Sequence, residues 1–155
     1  MFRFSFSFPA AFALAAVSPV AAQSTPDHAL AHPIFRQYYA CGEHAAGELK
    51  YQGDDLGTDC VISKLVEING RNWTRAYDGN GERNEDWYGW KQDVLAPCSC
   101  EVVKVSLNTE VNLPGILGKP PASIVVFRRD DDVHFILAHV ADVLVKAGQI
   151  GRAHV

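Results

Sequence analysis

Beyond its N-terminal stretch the sequence has no apolar run long enough to cross a bilayer, no internal repeat of fixed period and almost no segment with helical periodicity. Membrane bundles, solenoids and helical bundles are excluded together. Basic side chains are also in short supply, with 14 Lys and Arg against 18 Asp and Glu and a formal net charge of −4. A chain with this balance lacks the positive field that general nucleic-acid binding or docking on an anionic membrane requires.

The N-terminus does carry one apolar stretch. Arg3 precedes a run from Phe4 to Val17, and Ser18-Pro19-Val20-Ala21-Ala22 places small residues where a leader peptidase cuts. Residues 1–22 are therefore expected to be a signal peptide, cleaved after Ala22. Its removal takes away only Arg3 among the charged residues, leaving 13 basic and 18 acidic side chains and a charge of −5. The mature chain is then expected in the periplasm or outside a bacterial cell, with no membrane attachment. About 130 residues suffice for one core and are too few for two. Export would bring Cys41, Cys60, Cys98 and Cys100 into an oxidising compartment, where disulfides are favoured over free thiols or a four-thiolate metal site. Three pairings are open. Cys98 and Cys100, two apart on one strand, would point the same way, where a direct bridge is strained, and this favours links between segments.

Residues 23–33 are rich in Ser, Thr, Pro, Asp, His and Ala and read as a lead-in to a compact part starting near Ile34. Thr58 to Ile68 reads as one strand, Asn69-Gly70 as a two-residue hairpin turn and Trp73 to Tyr77 as the return strand. Asp93 to Leu107 reads as a strand pair or a long bent strand with a corner at Ala96-Pro97. Asn112 to Pro121 is a loop, dense in Pro and Gly. Ser123 to Arg129 and Val133 to Val140 form a hairpin around Asp130-Asp131-Asp132. The pattern predicts an all-β, mostly antiparallel domain. Trp87-Tyr88-Gly89-Trp90 offers aromatic surface that either lines a groove for peptide or sugar or anchors a loop in the core.

Four segments occur in a telling order: Asp93-Val94-Leu95-Ala96-Pro97, Val102-Val103-Lys104-Val105, the strand His134 to Val140 holding Leu137-Ala138-His139, and Val145-Lys146-Ala147-Gly148-Gln149. This order resembles the lysostaphin-type zinc metallopeptidases, in which a "V-x-A-P-x-x-G-x-V" strand precedes a Tyr-Ala-His-like triplet and then "V-K-x-G-Q". The resemblance spans roughly Cys41 to Gln149. It implies a barrel-sandwich hybrid with a duplicated motif over residues 34–149, incomplete at its C-terminal end. It also implies one zinc ion and, as substrate, a peptide of bacterial peptidoglycan.

In that family the ion is held by a His and an Asp from early segments and by the second His of a late His-x-His, leaving one position open for catalysis. Gly57-Thr58-Asp59 matches the family's "G-x-D", which implies Asp59 as a ligand. The first His commonly stands four residues earlier, where this chain has Asp55. His44 lies further upstream and is the preferred first ligand, with Asp55 the alternative, because a second carboxylate would reduce the positive charge that activates water. The resemblance implies a catalytic role for His139, donating a hydrogen bond to the scissile carbonyl oxygen. An alternating strand would turn it to the same face as Val133, Phe135 and Leu137.

The late His-x-His has no counterpart here. Ile150 to Val155 reads as one frame of a common sequencing adapter, so residues 150–155 are expected to be a foreign tail and the native gene to run on into the third ligand. Without that ligand the chain as written is expected to be inactive. A metal-free domain that binds cell wall or regulates another hydrolase is the second expectation. A lipoyl or biotinyl carrier shares part of the motif rhythm but needs a Lys on the hairpin where this chain has Arg128-Arg129-Asp130-Asp131-Asp132.

Overall fold

The computed structural model describes residues 31–44, 57–116 and 118–151. The leader, Asp55 and His154 lie outside them. The described residues are all-β, with eight strands: β1 (Tyr39–Glu43), β2 (Thr58–Ile62), β3 (Lys64–Ile68), β4 (Arg71–Arg75), β5 (Cys100–Ser106), β6 (Ile124–Arg128), β7 (His134–Ala138) and β8 (Ile150–Gly151). They form two hairpin sheets, β1-β2 and β3-β4, and one four-stranded sheet ordered β7-β6-β5-β8, with every pairing antiparallel.

The expected barrel-sandwich hybrid is not what forms, because no sheet closes into a barrel. The strand expected over Thr58 to Ile68 divides at Ser63. The apolar run read as one strand breaks there: β2 pairs back on β1 while β3 pairs forward on β4. Ser63 is buried, its N–H donates to the Tyr38 carbonyl at 3.0 Å and its hydroxyl donates to the Val61 carbonyl at 3.0 Å. With their polar groups satisfied in this way, the two halves belong to separate ladders. Four strands are thus committed to two-stranded sheets and cannot cover the edges of the larger one.

The turn chemistry read from the sequence is present. Asn69 and Gly70 have φ of 54° and 73°, the left-handed pair that lets a two-residue turn match strand twist. Around the acidic turn, the Arg129 N–H donates to the Val133 carbonyl and Asp132 adopts φ 64°, a three-residue loop ending in a left-handed residue. No Lys stands on that turn, so the feature a carrier domain needs is missing.

The core sits under the four-stranded sheet, where Cys98, Cys100, Val102, Val125 and Phe127 are buried and Phe135, Leu137 and Val145 pack against them. A bulge between Val102 and Lys104 resets the alternation, so that Val102 and Val105 both turn inward, opposite Phe127 and Val125. Each large apolar side chain buried here contributes about 1.5–3 kcal/mol. The stretch before β5 is extended but unpaired as a strand. It is held by backbone bonds from Leu95 N–H to the Ile34 carbonyl and from His32 N–H to the Pro97 carbonyl. β8 brings Ile150 and Gly151, the first residues of the segment read as a tail, onto the edge of β5.

The cysteines are paired as disulfides, one linking two segments as expected and one, between Cys98 and Cys100, departing from expectation. Cys41 bridges Cys60, and Cys98 bridges Cys100. The second pair is not on one extended strand: residues 97–99 bend before β5 begins, which brings the two Cα atoms to 5.3 Å, within disulfide reach.

Candidate functional site

Two places gather polar or aromatic side chains in a way the core does not require. The first is the β1-β2 hairpin. Hydrogen bonds at Tyr38–Ser63 and His44–Gly57 mark the ladder's bonded pairs, which leaves Cys41–Cys60 as a non-bonded pair with Cα atoms 4.1 Å apart, the position where side chains stand closest. The disulfide occupies one face of the hairpin. Gly42, opposite Asp59, and His44, two residues on, share the other face. His44 and Asp59 are diagonal neighbours on that face, and Nε2 of the ring lies 3.2 Å from Oδ2 of the carboxylate. The ring is mostly covered, at 15 % exposure, and the carboxylate is open to solvent at 79 %.

This pair can act in two ways. A carboxylate on an imidazole nitrogen fixes the ring's tautomer and orientation. Alternatively both atoms can face one cation. Ligand atoms bound to a tetrahedral zinc at about 2.0–2.1 Å stand roughly 3.3 Å from one another, and the observed spacing matches that of two such donors. The same 3.2 Å spacing is that of an imidazole–carboxylate hydrogen bond. Among the described residues no group of three His, Cys, Asp or Glu could hold a metal ion, and all four cysteines are in disulfides.

His139 is not brought into such a group. β7 ends at Ala138, and His139 takes a left-handed φ of 58° while its N–H donates to the Ser123 carbonyl at 2.9 Å. The alternation that would have turned it inward with Phe135 and Leu137 stops one residue too early, and the side chain is exposed.

The second place is a groove of about 730 Å³ lined by three stretches of chain: Gln37-Tyr38, Ile62 to Leu65, and residues between Glu85 and Gln92. Trp87 is fixed by its indole N–H donating to the Gly81 carbonyl at 3.0 Å and by the Tyr77 ring 4.9 Å away. Gly81, at φ 70°, lies so close to Tyr77 that a Cβ there would sit 2.8 Å from the ring. The Tyr88 hydroxyl donates to Asp78 at 2.6 Å, which together with burial pushes its pKa above the usual tyrosine range. The Lys64 ammonium lies 3.8 Å from the centre of the Tyr88 ring. Arg83 and Asp86 clamp the 3-10 turn at Asn84–Asp86 between them, and the paired guanidinium holds the Asp86 carboxyl below its ordinary range. The aromatic run was visible in the sequence. Tyr38, Gln37 and Gln92 were not, since no local pattern announces which distant residue closes a groove.

Fold and site together define an all-β, disulfide-bonded domain with a His–Asp pair on one hairpin and an aromatic groove beside the next. Compared with known proteins, the chain matches no family model, no curated relative and no solved structure. Among the described residues no helix is long and apolar enough to cross a membrane.

Proposed function

We propose that this chain is a domain of an exported zinc peptidase that cuts peptide bonds in bacterial peptidoglycan, with His44 and Asp59 as two of the protein donors to the metal. The observation that carries this is the 3.2 Å contact between His44 Nε2 and Asp59 Oδ2 on one hairpin face, two donors of the right type at the separation one tetrahedral ion requires. The order of the flanking motifs, from Ala96-Pro97 to Gly148-Gln149, supports the same reading. When bound, zinc would supply the Lewis acidity that makes water nucleophilic at neutral pH and polarises a peptide carbonyl. His44 and Asp59 would hold the ion, with the Cys41–Cys60 bridge behind them keeping the two strands in register. His139 is assigned the hydrogen bond to the scissile carbonyl oxygen, a role that requires the end of β7 to face the hairpin in the working protein.

The mature protein carrying its native sequence beyond Gln149, and with it the third ligand that the chain as written lacks, tests this when titrated with zinc against a chromophoric chelator and incubated with purified peptidoglycan. One zinc per chain is expected, lost in His44→Ala and in Asp59→Asn, with new amino termini released only by the parent protein. His139→Ala should keep the zinc and lose the release. Zinc binding indifferent to both hairpin substitutions would sink the assignment.

A second reading, a metal-free domain that binds cell wall, is favoured by the groove, which stands apart from the hairpin pair and contains no candidate ligand other than Glu85.

A further inference from the structure

We infer that the groove between Tyr38 and Trp90 is a saccharide site, occupied by the N-acetylated glycan strand of the wall polymer. The identity of that glycan rests on the peptidoglycan reading, whereas the saccharide chemistry rests on the groove alone. Its volume of about 730 Å³ falls in the range of small-molecule sites. Tyr38, Trp87, Tyr88 and Trp90 join Ile62 and Leu65 in its apolar lining, and flat ring faces match the C–H faces of pyranose rings while losing little rotamer freedom on binding. Tyr38 keeps 54 % of its surface exposed although it forms part of this concave wall.

Several of the groove's backbone donors are already engaged: Ser63 N–H with the Tyr38 carbonyl, Tyr88 N–H with the Ala76 carbonyl, Trp90 N–H with the Trp87 carbonyl and Gln92 N–H with the Gly89 carbonyl. Side chains supply further polar groups. Gln37 donates to Gln92 at 2.6 Å, linking two of the three stretches that line the groove, and both amides are exposed. Each amide offers donors and an acceptor, the combination that hydroxyl and acetamido groups require. The charged lining residues are Lys64 and Glu85, one of each sign, which suits a neutral ligand. The Tyr88–Asp78 and Trp87–Gly81 bonds hold the aromatic wall in place before any ligand arrives, so little ordering is left for the binding step.

Isothermal titration of the mature protein with chitotetraose, cellotetraose and a peptidoglycan stem tetrapeptide tests the inference. Chitotetraose is expected to bind, and Tyr38→Ala and Trp90→Ala to weaken it at least about tenfold. Replacing both exposed amides by Ala, which leaves the aromatic packing intact, should weaken it as well. Trp73→Phe, on β4 outside the groove, should bind like the parent. Zinc titration should be unchanged in all the groove variants, so a failed metal site and a failed groove give different results. Cellotetraose binding as tightly as chitotetraose, displacement of chitotetraose by the tetrapeptide, or indifference to the Tyr38 and amide substitutions would each overturn the proposal.

Discussion

Gly42 stands directly opposite Asp59 in the β1-β2 ladder, and His44, two residues on, reaches the Asp59 carboxylate diagonally across the strands. A Cβ at Gly42 would meet nothing within 4 Å, so the position tolerates a small substituent, whereas a branched side chain adds bulk on the face that carries the pair. Gly42→Ala is expected to bind zinc like the parent and Gly42→Val to bind it more weakly. His44→Ala should cost at least about 100-fold in affinity, since even outer partners of metal ligands cost 10–100-fold. Competition with a chelator of known affinity measures all three, and equal affinities for Val and Gly at this position would refute the steric argument.

A two-stranded hairpin is marginal on its own, which gives the Cys41–Cys60 bridge a quantitative role. With the cysteines 19 residues apart in sequence, chain-entropy arguments assign the bridge about 3 kcal/mol. The double variant Cys41→Ser, Cys60→Ser should lose stability of that order in denaturant titration and should lose zinc binding together with it. Full zinc affinity in the double variant would show that the hairpin is held by something else.

What could be read from the sequence was local. Asn69-Gly70 and the acidic run announced their turns because each needs left-handed backbone that few residues adopt, and the apolar stretches announced strands. The break at Ser63 was hidden, because a lone Ser between Ile62 and Lys64 does not interrupt a β pattern. It becomes a break only once Tyr38 and Val61 accept its hydrogen bonds. The barrel expectation failed because the strands pair into two hairpin sheets and one open four-stranded sheet. His44 and Asp59 were nominated by motif and meet in space, whereas the inward aim of His139 followed from alternation along β7, which its left-handed backbone ends.

The Tyr88 hydroxyl donates to Asp78, and this bond, burial and the nearby carboxylate charge all favour the neutral phenol. A folded pKa raised above the unfolded value means that the stabilisation is complete below about pH 10 and is lost as pH rises through the folded value. Ultraviolet titration should show one tyrosine ionising later than the rest, and Asp78→Ala should return it to the main group. A single transition for all tyrosines in the parent protein would contradict the contact.

Acid acts through two arginine–carboxylate pairs. Arg83 holds the Asp86 carboxyl below its ordinary range, chiefly by hydrogen bonding, and Arg129 does the same to Asp131 at the β6-β7 turn. A depressed folded pKa contributes stability that is present above the unfolded value near 3.8 and disappears as pH falls through the lowered folded value. Unfolding midpoints followed from about pH 6 to about pH 3 should fall less steeply in Asp86→Asn and Asp131→Asn than in the parent. Each pair keeps one partner open to solvent, which limits the effect, and steeper acid sensitivity in the variants would mean that neither arginine favours the ionised carboxylate.

Gly151, on β8, is the tightest point of contact between the edge of the main sheet and its core. A Cβ built there would stand 2.9 Å from Phe127 Cε1 and 3.0 Å from Ala96 Cβ. Neither neighbour can retreat easily, since Phe127 is buried and Ala96 packs against the same cluster. Gly151→Ala should therefore cost about 1–3 kcal/mol by overpacking, and Gly151→Val more. Because β8 is held through backbone bonds between Val102 and residues 148 and 149, the strain should appear as faster hydrogen exchange at Val102 as well as a lower Tm. An alanine variant as stable as the parent would mean that β8 does not rest on Phe127, and the edge of β5 would then be open to a different strand.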